Sequence, residues 1–366
     1  VADAFNPAQA QVDKVDLDIL AAGYAGTGVI AGCAVTAQGV PDMTLAVSSY
    51  GAVLKQVTLS KFNSAPGKAG ENNPPVLLDF ATAPGLELSG VPGLAVNAAY
   101  HVERDESGNV LTLTAATAQG LAVTRRIELL KGYQVKVTDS IRNAGETVVT
   151  LGSNTVGMGV MRKGDSKNEM LSLDSLPATV AAKTRHWGSE KATKQYLVGG
   201  TTGGGIGCGG APSAVGMADQ VTVPVLEPQS WVALKSRFFV TLFSSSETNC
   251  GFMAQMVRDT AKPNYVLSHL SARVLFPGRV LGQGEVLTRD YTLYIGPKEL
   301  SRLQGLGNGK DAVMEFGFFT WFCKLLVPTL NFFHRIIPNY GVAIILLTFL
   351  VRIIFWPLTH KSTVSM

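Results

Sequence analysis

The 366-residue sequence predicts a mainly β chain. We expect one large antiparallel β-sandwich, then an amphipathic helix lying in a membrane interface, then one transmembrane helix. Three observations predict this. Short alternations of apolar and polar residues fill the chain from about Met43 to Gly296. After Asp311 the apolar period switches from two to three and four. A continuous apolar run follows near the end. Composition agrees: hydrophobic residues are 46%, and charged residues are 16%, below the usual quarter of a globular chain.

Residues 1–40 are rich in Ala, Gly and Asp and have little periodicity, so they read as a flexible linker or tail. The stretch VIAGC ending at Cys33 has the look of a lipoprotein cleavage box. Asp16, Asp18 and several glycines stand where its apolar segment belongs, which favours a small-residue linker. The first residue is Val1 and no basic segment precedes an apolar one, so we expect a fragment without an intact signal peptide.

Residues 41–307 read as the sandwich. In LTLTAA, Leu111 and Leu113 face in while Thr112 and Thr114 face out. In LAVTRRIEL, Val123, Ile127 and Leu129 share one side against Thr124, Arg126 and Glu128. In YQVKVTDSI, Val135, Val137 and Asp139 oppose Gln134, Lys136 and Thr138. One apolar face per strand is the pattern of half-buried antiparallel strands. Turn residues such as Ser107-Gly108-Asn109, Asn143-Ala144-Gly145 and Pro277-Gly278 separate the runs. The insert TTGGGIGCGGAPS satisfies GxGxxG at Gly205, Gly207 and Gly210. A dinucleotide loop needs a helix next, and Pro212 with further turn residues follows instead, so we read a surface loop.

Residues 308–338 read as the amphipathic helix. Phe319, Phe322, Leu326, Leu330, Phe333 and Ile337 recur at steps of three and four, with Thr320, Lys324, Asn331 and Arg335 on a narrow polar stripe. Pro328 should kink or interrupt it. A wide apolar face opposite basic residues suits the membrane interface, with Trp321, Phe322, Lys324 and Arg335 as contact residues. A spanning helix and a buried core helix are the alternatives. Spanning would leave Lys324 near mid-bilayer at about 2.5–3.5 kcal/mol.

Residues 339–361 read as the transmembrane helix and 362–366 as the start of a cytoplasmic segment. Residues 341–358 would span about 27 Å as a helix, close to the ~30 Å hydrocarbon core. Tyr340 and Trp356 stand where an aromatic belt is expected. Arg352 breaks the run, and Thr348 shares its helical face four residues earlier. The arginine either snorkels to the nearer interface or faces a hydrated cavity between helices.

Other function classes lack support. The four cysteines, Cys33, Cys208, Cys250 and Cys323, form no CxxC pair, so no zinc or redox site is expected. A net charge of +4 without a basic run gives no nucleic-acid footprint. A sugar-modifying sandwich would need a histidine paired with a carboxylate. His101 with Glu103, His186 and His269 are available, and no cluster stands out.

The last span carries a resemblance. NYGVAIILLTFLVRIIFWPLTHKSTVSM resembles the second membrane span of YidC-type bacterial membrane protein insertases, through TF-x-VR-x-x-x-x-PLT from Thr348 to Thr359. LYIGPKEL, FGFFTWFCKLL and WVALKSRFFVTLF resemble the family's strand exit, interfacial helix and a strand of its large periplasmic domain. The resemblance covers about residues 40–366. It implies a supersandwich akin to sugar-binding ones, mainly a scaffold and docking surface, in the bacterial inner membrane, with the full-length protein multi-pass and the large domain in the periplasm. It implies no enzyme chemistry, cofactor or metal. Nascent membrane proteins would enter a hydrated, positively charged groove whose arginine corresponds to Arg352 and whose polar neighbour corresponds to Thr348. The implied partners are those substrates, the Sec translocon with its accessory subunits, the lipid bilayer, and the ribosome through regions absent here. The alternative is a sugar-binding or sugar-modifying sandwich anchored by one span.

Overall fold

The structure is a computed structural model that describes residues 29–31, 42–64, 73–106, 109–163, 171–188, 219–261, 267–316 and 320–364. The Gly-rich insert, with Cys208, and Cys33 lie outside the described residues. The chain divides into two compact units, Val1–Lys310 and Asp311–Met366.

The first unit is a sandwich of two antiparallel nine-stranded sheets. One runs, in spatial order, β1 (Val29–Ala31), β2 (Met43–Ser48), β3 (Val53–Asn63), β5 (Gly85–Ser89), β11 (Asn154–Arg162), β18 (Leu267–Phe276), β17 (Gly251–Arg258) and β14 (Gln220–Val225), with β4 (Pro75–Asp79) also on β3. The other runs β13 (Arg185–Gly188), β12 (Ser172–Pro177), β15 (Gln229–Lys235), β16 (Phe239–Ser245), β20 (Val286–Pro297), β9 (Gln134–Asn143), β8 (Leu121–Leu130), β7 (Val110–Ala116) and β6 (His101–Arg104). A small ribbon pairs β10 (Val149–Leu151) with β19 (Arg279–Leu281). The sheets meet through rings: Phe243 of β16 against Phe276 of β18 at 6.4 Å, and Trp187 of β13 against Phe252 of β17 at 6.2 Å.

The period-two reading holds. Leu111, Leu113, Val123, Ile127, Leu129, Val135 and Val137 are all buried. The same period also carries Arg125 and Asp139 into the core, and both are buried. They sit opposite each other in the β8–β9 register. The guanidinium donates to both carboxylate oxygens at 2.7 Å, to the Ala52 carbonyl at 3.0 Å and to the Leu86 carbonyl. Tyr291 Oη donates to Asp139 Oδ2 at 2.7 Å. An ion pair on one sheet thereby fastens the backbone of the other. Burial, opposed by the charge of Arg125, pushes the nearby Tyr100 hydroxyl up to about 12.

Two boundaries differ from the sequence reading. Residues 29–31, expected within the linker, form the edge strand β1, paired antiparallel with β2. The segment expected as one helix from 308 is a 3-10 turn at Lys310–Met314, and the α-helix begins at Thr320.

Helix α1 (Leu300–Gly305) follows β20 and buries Leu300 and Leu303. The second unit contains α2 (Thr320–Ile336) and α3 (Tyr340–Val364). Pro328 does not interrupt α2. Its missing N–H costs one helical bond, and the neighbouring Thr329 hydroxyl donates to the Leu325 carbonyl at 2.8 Å.

Candidate functional site

The site is built on the α2–α3 hairpin. Asn339 caps α3: its Oδ1 accepts from the Gly341 N–H at 2.8 Å. The Tyr340 ring stacks on His334 at 3.8 Å and 17°. From there Ala343 is buried, Leu347 and Val351 are half-buried, and the Phe355 ring lies 6.2 Å from Phe322. These positions advance by three and four and form the stripe that packs on α2.

Thr348 and Arg352 lie one position round from that stripe, and both are exposed. The Thr348 hydroxyl donates to the Ile344 carbonyl at 2.8 Å, so its remaining hydrogen-bonding capacity is as an acceptor. Arg352 has no polar partner among the described residues. Beyond them the helix surface is apolar, with Ile344, Ile345, Phe349, Ile353 and Trp356 exposed. Among the described side chains of α3, Arg352 is thus the one cation, set on a greasy surface.

The expected interface residues separate into two groups. Trp321, Tyr340, Arg335 and Trp356 are exposed. Phe322 packs between Trp321 at 5.6 Å and Phe355. Lys324 is half-buried and meets Asp311 at 2.5 Å. Asp311 is the residue sequence reasoning missed, because an i to i+13 pairing across a 3-10 turn has no periodic signature. Among the described residues no helix is long and apolar enough to cross a membrane. The described side chains of α3 end at Trp356, although its backbone helix runs on to Val364.

The histidines do not converge. His101 lies on β6 and His186 on β13, the opposite edges of one sheet, and His269 lies on β18 in the other. Among the described residues His101 approaches the exposed Glu103, at 3.5 Å. His186 meets Asp174 at 3.0 Å, and that carboxylate also pairs with the buried Lys235. Partial burial and the neighbouring Arg162 lower the His269 pKa. An open pocket of about 160 Å³ over β11, β17 and β18 is lined by Gly157, Met253, Gln255, Ser271 and Arg273, and by none of these histidines. Its arginine is committed to Glu87 at 2.6 Å and Thr155 at 2.9 Å.

A family model described as the YidC periplasmic domain matches residues 40–328. The chain belongs to the YidC family. Its YidC relatives include the membrane protein insertase YidC of Geobacter metallireducens, 25% identical over 89% of this chain and 56% of that protein. The YidC of Magnetococcus marinus is 40% identical over 30% of this chain and 18% of that protein. The chain spans about half the length of the curated relatives it matches. The solved structure of a GalM/aldose epimerase homologue from C. elegans aligns over 70% of this chain and 96% of its own, at 9% identity and a TM-score of 0.42.

Proposed function

We propose that the chain is the large periplasmic domain and following membrane helices of a bacterial inner-membrane protein insertase. The observation that carries the proposal is Arg352: an exposed guanidinium, with Thr348 one turn before it, on an otherwise apolar helix surface. The apolar run of α3, residues 341–358, would extend about 27 Å as a helix, close to the ~30 Å hydrocarbon core, which supports a spanning reading. The exposed rings of Trp321, Tyr340 and Trp356 would lie at interfaces, and Arg335 among headgroups. The Lys324–Asp311 pair lowers the cost of holding α2 in the interface, because it enters as a neutral pair.

A charge at bilayer depth needs water or a counter-charge. Further helices of the full-length protein would enclose a hydrated groove beside Arg352. In that low-dielectric setting the arginine attracts an acidic flank of a nascent membrane protein far more strongly than in water. The Sec translocon and the ribosome are the partners such a role implies. The sandwich is the scaffold. The dispersal of the histidines disfavours the sugar-modifying alternative.

The test is Arg352→Leu in the full-length protein. We expect insertion of substrates with acidic translocated segments to slow by on the order of tenfold, equivalent to about 1.4 kcal/mol, with Arg352→Lys retaining part of the rate. Unchanged insertion of such substrates would remove the groove role of this residue.

A further inference from the structure

We infer that one end of the sandwich is a docking surface for an anionic lipid bilayer, with the β15–β16 hairpin tip as its anchor. The placement follows from strand register. Phe239, just after the tip, pairs with Pro297 at the end of β20. Tyr294 of β20 pairs with Gln134 at the start of β9, and the Ile295 N–H donates to the Tyr133 carbonyl at 2.9 Å. The Lys298 N–H donates to the Phe238 carbonyl at 2.7 Å. Phe62, near the end of β3, packs on Phe239 at 5.7 Å and Tyr133 at 6.2 Å. The β15–β16 tip, the β8–β9 tip, the end of β3 and the exit from β20 therefore share one end.

The chemistry at that end is basic with one protruding ring. Phe238 is 61% exposed, at the apex of a hairpin whose strands are otherwise buried. Arg237 lies over its ring at 5.1 Å. Lys61 and Arg302 are satisfied by Asp42 at 2.8 Å and Glu299 at 2.5 Å. Arg237 and Lys131 are both exposed and have no ion-pair partner among the described residues. The neighbouring β6–β7 turn adds Arg104, Asp105 and Glu106, and the β20 exit adds Lys298, so Lys61, Arg104, Lys131, Arg237, Lys298 and Arg302 outnumber Asp42, Asp105, Glu106 and Glu299 at this end. The opposite end carries Glu146, Glu247 and Glu285 with Arg142 and Arg279 and has no such excess. An exposed ring flanked by cations is the chemistry of a bilayer interface: the ring enters the headgroup boundary while the cations meet phosphates. Continuity along the chain agrees, since the β20 exit bonded to Phe238 leads within a short stretch to α2 and its apolar face.

The inference rests on the membrane attachment proposed above, and the experiment separates the two. The chain is reconstituted in phosphatidylcholine vesicles with about a third phosphatidylglycerol. Single cysteines replace Phe238, Val148 at the opposite end, or Phe349 on α3, with native cysteines changed to serine. Each carries an environment-sensitive fluorophore, read by quenching with nitroxide lipids. We expect the labels at 349 and 238 to be quenched, the label at 148 to be unquenched, and Arg237→Glu with Lys131→Glu to reduce quenching at 238 by about twofold or more. Quenching at 349 without quenching at 238 overturns the docking surface alone. No quenching at 349 overturns both readings. A label at 238 that is wet in vesicles and shielded only in native membranes assigns the tip to a protein partner and also overturns the lipid reading.

Discussion

Arg125 and Arg352 show one residue type under opposite constraints. Arg125 is enclosed and fully answered: a carboxylate takes two of its bonds and two carbonyls of the facing sheet take others. Burial alone would lower its pKa, and Asp139 beside it outweighs that and holds it above the ordinary value. Breaking such a pair leaves an uncompensated buried charge, which costs about 3–5 kcal/mol, whereas replacing both partners by apolar residues of similar volume is often neutral. Asp139→Asn should therefore lower the urea midpoint of unfolding severely, and Arg125→Met with Asp139→Leu should recover most of the loss. If the single variant unfolded at the wild-type midpoint, the fastening role of the pair would be wrong. The alternation placed Asp139 on the core face, and the same period assigns Arg125 to it, although a charged residue between Val123 and Ile127 was passed over in the sequence reading. Their mutual pairing was not legible, because a one-residue slip between β8 and β9 would separate them and register is set by the tertiary fold.

The α2–α3 hairpin is held by a narrow stripe, with large apolar faces left over on both helices. That stripe includes Ala343, which is fully buried three residues after Tyr340, whose ring stacks on His334. Overpacking such a position typically costs 1–3 kcal/mol, and here the helices are free to separate. Ala343→Leu should reduce short-spacer cross-linking between cysteines placed at Phe322 and Phe355 in the reconstituted chain, while Ile345→Leu, on an exposed face, should leave it unchanged. Equal cross-linking in both would mean that Ala343 does not set the helix spacing. The periodicity of both helices was legible because apolar spacing is a local property. The start of α2 at Thr320 and the Lys324–Asp311 pair were not, since the 3-10 turn that creates them depends on how Lys310–Met314 folds.

At the scale of the molecule, the alternation made a sandwich legible, but not which sheet each strand joins. β20 inserts between β16 and β9, and β11 between β5 and β18, by contacts between strands far apart in sequence. These non-local pairings close within Val1–Lys310. The core there includes Trp231, whose indole N–H donates to the Asn308 carbonyl at 3.0 Å, so the segment after α1 completes the unit rather than merely leaving it. A polypeptide ending at Lys310 should accordingly fold alone, stay soluble without detergent and unfold in one cooperative step in urea. One ending at Pro297 would delete α1 and the carbonyl that answers Trp231, and would expose the sheet surface that Leu300 and Leu303 cover. Losing two buried leucines and leaving a buried donor unpaired should cost several kcal/mol, on the order of 2–5 for the leucines and 1–3 for the donor. We expect the shorter polypeptide to bind a hydrophobic dye and to lose its cooperative transition. If both polypeptides melted alike, the segment from Lys298 to Lys310 would be a linker and the sandwich would end with β20.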